Sequence, residues 1–244
     1  AFYHQQPEAP SPTRLGLTDL LLSLGVSSFL KGYYYLTVYH QAETQQRKKE
    51  GRALRDLAKS CFEAARERFG QALEADGDDI YIWDEYARVS FNLAHLANGE
   101  TNGTRAELWQ ETISAYRRVL KHRDNRVMGS EALLETALFL GHAYTKSGEF
   151  AAAEDILSLI QAVRPEYWLA HYARACLLSL QAEQQPEETL LDDALEHLTR
   201  AIQLDTGGSR ARDEARSDPD LKALRDGRQA AFSHLVGKGN GKSP

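Results

Sequence analysis

The chain has 244 residues, 26% of them charged and 42% apolar, with a formal charge of −6, a composition that supports a sizeable buried core and excludes a disordered or collagen-like chain. The acidic balance excludes a general attraction to nucleic acid or acidic lipid, so a polyanion could be held only at a local basic patch. Leu and Ala together number 65 against 13 for Val and Ile, which predicts an all-helical protein. Cys61 and Cys176 are too few for a disulfide framework and are expected as buried thiols.

The stretch PEAPSP at 7–12 holds three prolines and predicts an extended arm over 1–13. An apolar and aromatic segment from Leu17 to Tyr39 follows, with Thr18 or Asp19 as its expected N-cap. Lys31 stands in the middle of it, where a charge opposes membrane insertion, so a buried solenoid helix is the reading. Adjacent helix residues stand about 100° apart, so Tyr33, Tyr34 and Tyr35 cannot all point inward. Residues 42–60 turn polar. Arg47, Lys48, Lys49, Arg52 and Arg55 there are expected on a solvated helix face.

A longer period then emerges. In 140–165, Leu140, Gly141 and Tyr144 are followed by Gly148, Ala153, Leu157, Ile160 and Pro165. Small residues at Gly141 and Ala153 let two antiparallel helices approach, Tyr144 and Leu157 fill the remaining space, and Pro165 ends the second helix. Ala65, Phe69, Ala72, Trp83, Tyr86 and Ala87 occupy corresponding places upstream. Thr112, Tyr116 and Val119 mark the next second helix, with LANGETNGTRAE read as an inserted loop. Arg123 to Ser130 is expected to be a loop, and a lengthened turn containing Gln184, Gln185 and Pro186 is expected between Trp168–Leu180 and the helix marked by Ala194, Leu198 and Ala201.

This alternation of large and small positions resembles the tetratricopeptide repeat family over about residues 60–206. The resemblance implies an all-α fold, a right-handed superhelical solenoid of antiparallel helix pairs with C-terminal capping helices. The expected organisation is an arm over 1–13, a helical-repeat domain over 14–236 and a flexible tail over 237–244. Within the domain, 14–78 is a long hairpin, 79–126 and 134–206 are repeats, and 207–236 is the cap, with Asp218-Pro219-Asp220 as its turn and helix cap.

Motifs for chemistry are absent from the sequence. GKS at 241–243 lacks the glycine that a phosphate-binding loop needs at Val236. The eight histidines have no metal-ligand spacing, and His171 and Cys176 stand about 140° apart on one helix. Asp78-Asp79 and Asp192-Asp193 are expected at helix starts, where they favour the helix dipole. Asn102-Gly103-Thr104 fits a glycosylation acceptor and reads better as turn chemistry. No catalytic, cofactor-binding or metal residue is assigned.

What the resemblance implies is a concave groove lined by the first helices of successive pairs, holding a protein or peptide partner. The repeat register projects Tyr81, Arg88, Leu138, His142, Lys146 and Tyr172 into it, beside Asp84, Asn92, Glu135, Leu169 and Cys176. The mixed charge of these positions predicts a peptide with apolar anchors and no nucleic acid, and the Lys and Asn set that clamps a C-terminal carboxylate in some members of the family is missing. The function expected is therefore a non-enzymatic scaffold or adaptor without cofactors. The alternative is an accessory subunit that docks on a membrane complex through 17–39, with oligomerisation through the N-terminal helices open. The compartment expected is the cytoplasm, or a periplasmic, lumenal or organellar space if a targeting segment has been removed, since the first residue is not Met.

Overall fold

The computed structural model describes residues 12–45, 47–97, 102–122, 128–185, 187–206 and 209–237. The expected arm before Pro12, the tail after Gly237 and most of the 123–130 loop lie outside them. Every regular element among the described residues is helical. The chain forms two compact units, residues 1–124 and 125–244.

The first unit contains α1 (Pro12–Thr44), α2 (Lys48–Ala75), α3 (Ile80–Leu96) and α4 (Asn102–Lys121). Helix α1 starts earlier than Thr18 and Asp19 would place it. Proline is tolerated in a first helical turn, where its missing N–H has no intrahelical acceptor to lose, so Pro12 opens the helix and Thr18 is a buried interior residue. Helices α1 and α2 lie antiparallel in a register carried by glycines. A methyl group at Gly25 would meet Phe69 and one at Gly32 would meet Phe62, while Gly51 lies against Glu43. Each pair sums to 94, and the spacing of seven keeps the contacts on one seam of each helix.

Helix α3 begins at an Asp79 cap whose carboxylate accepts the backbone N–H groups of Tyr81 and Ile82 at 2.8 and 3.2 Å, satisfying two donors the helix cannot. Ala65, Phe69, Ala72, Ile82, Ala87, Tyr116 and Val119 are sealed in this unit's core. Of the loop expected at LANGETNGTRAE, Leu96 ends α3 and 102–107 belong to α4, while 98–101 lie outside the described residues. Ala106 and Glu107 favour helix enough to extend α4 backwards through Gly103, so the inserted residues there lengthen that helix. Arg55 of the basic run is half-buried and donates to the carbonyl of Leu96, whereas Arg47 pairs in solvent with Glu50 at 2.7 Å.

The second unit contains α5 (Ser130–Ser147), α6 (Phe150–Val163), α7 (Trp168–Gln184) and α8 (Glu188–Leu204). After them come α9 (Arg210–Ser217), a 3-10 turn at Pro219–Leu221, α10 (Lys222–Gly227) and α11 (Gln229–Val236). Gly148 closes α5 at φ 82°, the left-handed conformation that glycine adopts without strain. Gly141 is buried against Leu157 and Ile156 of α6, and Ala153, Ala175, Ala194 and Ala201 have no exposed surface. These are antiparallel helix contacts made through small residues, at the positions the sequence spacing predicts. The turn expected around Gln184–Pro186 is short, since α7 reaches Gln184 and α8 starts at Glu188, with position 186 outside the described residues. Asp192 and Asp193 consequently fall inside α8 rather than at its start, and Asp192 accepts from Arg228 at 2.6 Å. Ala211, Ala215, Leu221, Leu224, Phe232 and Val236 join Tyr172, Leu198 and Ala201 in one core cluster, so the C-terminal helices bury the apolar surface left by α7 and α8.

Candidate partner-binding site

In the first unit the α3 face divides into an exposed and an occupied part. Tyr81 sits at the start of the helix, with its backbone N–H held by Asp79 and its side chain in water, 51% exposed. Arg88, one of the six residues expected to meet a partner, donates through Nε to Asp84 at 2.8 Å, and Asp84 is itself buried. Asn92 is turned back onto the carbonyl of Arg88 at 2.7 Å. The neighbouring half-buried carboxyl, Glu85, is held above the usual carboxylate range by burial, against the pull of Arg88.

The far side of α3 is a hydrogen-bonded seam with α4. Glu111 accepts from the Tyr86 hydroxyl, from Ser90 at 3.2 Å and from Arg66 at 3.3 Å. Burial first and Glu111 second push the Tyr86 phenol upward, so it stays a donor. Trp83 donates to the Gly77 carbonyl at 2.9 Å, and Arg118 stacks over the indole at 4.5 Å. A cavity of about 460 Å³ opens between these groups, lined by Leu73, Trp83, Tyr86 and Glu111.

In the second unit two of the expected residues, Lys146 and Tyr172, lie against the chain's own C-terminal segment. Leu138 is buried. His142 is half-buried, and burial followed by the Lys146 charge lowers its pKa to about 3, so the ring is neutral near pH 7. Lys146 forms an ion pair with Asp220 in which both side chains are about one-tenth exposed. Tyr172 is buried and donates its hydroxyl to Asp218 at 2.8 Å, with Cys176 Sγ 3.7 Å from the same carboxylate oxygen. Burial and the Asp218 charge push the Cys176 thiol up, which keeps it protonated and inert.

The turn that fills this site is built from its own sequence. Asp218 accepts the Asp220 backbone N–H at 2.9 Å, Pro219 fixes the first residue of the 3-10 turn, and Arg225 donates to the Asp218 carbonyl at 2.8 Å. Ser179 accepts the Leu224 N–H at 3.2 Å from the α7 side. Lys146 and Tyr172, expected to meet a partner, are met by the Asp218–Asp220 turn of the same chain. Partners 74 and 46 residues away carry no local sequence signal. The half-buried Cys61 also departs from the expectation of two buried thiols.

A second polar cluster, between α6, α7 and α8, was also invisible in the spacing of the histidines. His171 Nε2 lies 3.0 Å from the carbonyl of Pro165, which can only accept, so that nitrogen carries the proton. Its Nδ1 is then the acceptor for His197 Nδ1–H at 3.2 Å and for the Gln161 amide at 3.3 Å. Burial, then Arg174, then His171 lower the His197 pKa to about 4. Arg174 pairs with Glu154 and donates to Gln161 at 2.7 Å.

Among the described residues no group of three His, Cys, Asp or Glu side chains is placed to hold a metal ion, and no helix is long and apolar enough to cross a membrane. No family model matches the chain, and no curated protein does. Three solved structures are similar to it. A MamA RS-1 ArsTM double mutant shares 16% identity at a TM-score of 0.45, over 84% of this chain and 94% of that one. PilW, a widely conserved type IV pilus biogenesis factor, shares 17% at 0.44, over 84% and 90%. The human IFIT1 dimer with PPP-AAAA shares 18% at 0.35, over 78% and 48%.

Proposed function

We propose that this chain is a non-enzymatic helical-repeat scaffold that binds a protein partner on the inner faces of its first helices. The observation that carries the reading is Tyr81. A large aromatic ring is left half in water on the face that the repeat register turns inward, anchored at its backbone by the Asp79 cap. Tyrosine supplies contact area at small entropic cost, which is why it recurs at binding hot spots. Arg88, fixed by Asp84, stands two turns further along the same helix and adds a cation at the edge of the contact.

Of the remaining expected residues, Leu138, His142, Lys146 and Tyr172 support this role from below. Lys146 and Tyr172 tie the second unit to its C-terminal cap through Asp220 and Asp218, and reach a partner only if the Asp218–Asp220 turn is displaced. A photo-crosslinking phenylalanine at position 81, with position 117 on the opposite helix as control, tests the reading in extract. A protein captured reproducibly from 81 and not from 117 supports it. Equal or no capture from the two positions overturns it.

A further inference from the structure

Ten large apolar side chains are exposed among the described residues, and six of them, Leu17, Leu20, Leu24, Leu30, Tyr33 and Tyr34, belong to α1. The helix is therefore not buried on all sides as its sequence suggests. Its inner seam, with Gly25 and Gly32, is taken by Phe69 and Phe62 of α2. The outer arc, including Gly16, Ser23, Ser27 and Lys31, is exposed throughout. These side chains, each 44–65% exposed, leave on the order of 600 Å² of apolar surface in water, the upper end of what a monomer carries and most of the ~800 Å² per partner of a standard interface.

We propose that this outer face of α1 is a self-association surface on which two copies of the chain pair antiparallel, centred at the level of Gly25. The sequence of the face is close to self-complementary about that point. Antiparallel pairing sets residue i of one copy level with residue 50 − i of the other. Leu20 then lies level with Leu30, Leu17 with Tyr33, Ser23 with Ser27, and the small Gly16 with the large Tyr34.

The charges select the direction. Asp19 and Lys31 are the only Asp, Glu, Lys or Arg residues between Gly16 and Ala42, and both are exposed. Antiparallel pairing sets Asp19 level with Lys31 at both ends of the contact, whereas parallel pairing sets like charge beside like. A bilayer is a poorer occupant, because the arc carries both charges and Ser23 and Ser27 at its centre, and lacks the basic flank of an interfacial helix.

Sedimentation equilibrium of the full chain tests the proposal. The expected result is a concentration-dependent species of twice the 27.4 kDa chain mass at micromolar concentration. Leu20→Glu, at an exposed position, should raise the dimer dissociation constant about 30-fold or more while leaving the helical circular dichroism unchanged. Asp19→Lys and Lys31→Asp should each weaken the dimer, and the double exchange should restore it. A mixture of Ser23→Cys and Ser27→Cys chains should cross-link to each other faster than either does to itself. A monomer at 100 µM, a dimer indifferent to Leu20→Glu, or a monomer that floats with anionic vesicles overturns the proposal. Loss of partner capture at Tyr81 with the dimer intact bears on the function proposed above and leaves this one standing.

Discussion

Gly25 and Phe69 are in mutual contact across the α1–α2 seam, with the aromatic ring lying where a glycine side chain would begin. A methyl group at Gly25 would stand 2.7 Å from Cδ1 and 2.9 Å from Cζ of the ring, distances that real side chains do not tolerate. The ring fills the space completely, with no exposed surface, and cannot swing away without opening the core. Gly25→Ala should therefore destabilise the protein by about 1–3 kcal/mol through overpacking, despite alanine's better helix propensity. Phe69→Leu in the same chain should recover part of the loss, a coupling that urea unfolding of the single and double variants measures directly.

Gly141 makes the corresponding contact in the second unit with less severity. Its nearest neighbour would be a Leu157 methyl at 3.3 Å, the flexible end of a side chain. Gly141→Ala should be nearly neutral, because the gain in helix propensity offsets a small shift of Leu157. Gly141→Leu should cost about 1–3 kcal/mol. An unchanged melting temperature for the leucine variant would show that α5 and α6 do not approach at this point.

The repeat register is legible in the sequence because packing is local there. Gly141, Ala153, Ala175 and Ala194 are small where two neighbouring helices touch, and all four are buried. The seven-residue spacings of Gly25 with Gly32 and of Phe62 with Phe69 are equally visible, and identify the α1–α2 register once the two segments are paired. Insertions are misread as loops because propensity alone does not say where a helix stops. Asn102 and Gln184 look like turn residues and are a helix start and a helix end. The inner-face residues mislead for another reason. Periodicity aims Lys146 and Tyr172 at a partner, but what lies against them is a turn many residues away along the chain, which carries no local signal.

The buried ion pair at that turn gives a prediction with two arms. Lys146 and Asp220 are about nine-tenths buried, so removing one partner leaves an uncompensated charge in a low-dielectric site. Asp220→Ala should cost about 3–5 kcal/mol, whereas Lys146→Met with Asp220→Leu should be near neutral, since each charge has lost its desolvation penalty along with its partner. A double variant as unstable as Asp220→Ala, measured by urea unfolding at pH 7, would show that the turn depends on the charges themselves and not on their mutual compensation.

Acid sensitivity follows from the two lowered histidines. An unfolded histidine takes up a proton near pH 6.5, while His142 and His197 in the folded chain resist protonation down to about 3 and about 4. The unfolded state thus binds more protons in this window, so stability is fully present above about pH 6.5 and falls as the pH drops toward the folded values. Burial sets the sign and the facing groups add to it: Lys146 faces His142, and Arg174 and His171 face His197, all disfavouring a further positive charge, with Asp193 opposing at His197. Both rings sit in the second unit, so its unfolding should be the acid-sensitive step. His142→Leu keeps a side chain of similar bulk without a titrating ring and should flatten the decline of the unfolding free energy between pH 6.5 and 4. His234→Ala, an exposed position on α11, should leave that slope as it is. Identical slopes for the parent and the His142 variant in urea titrations at pH 7, 6, 5 and 4 would remove His142 as a source of the acid sensitivity.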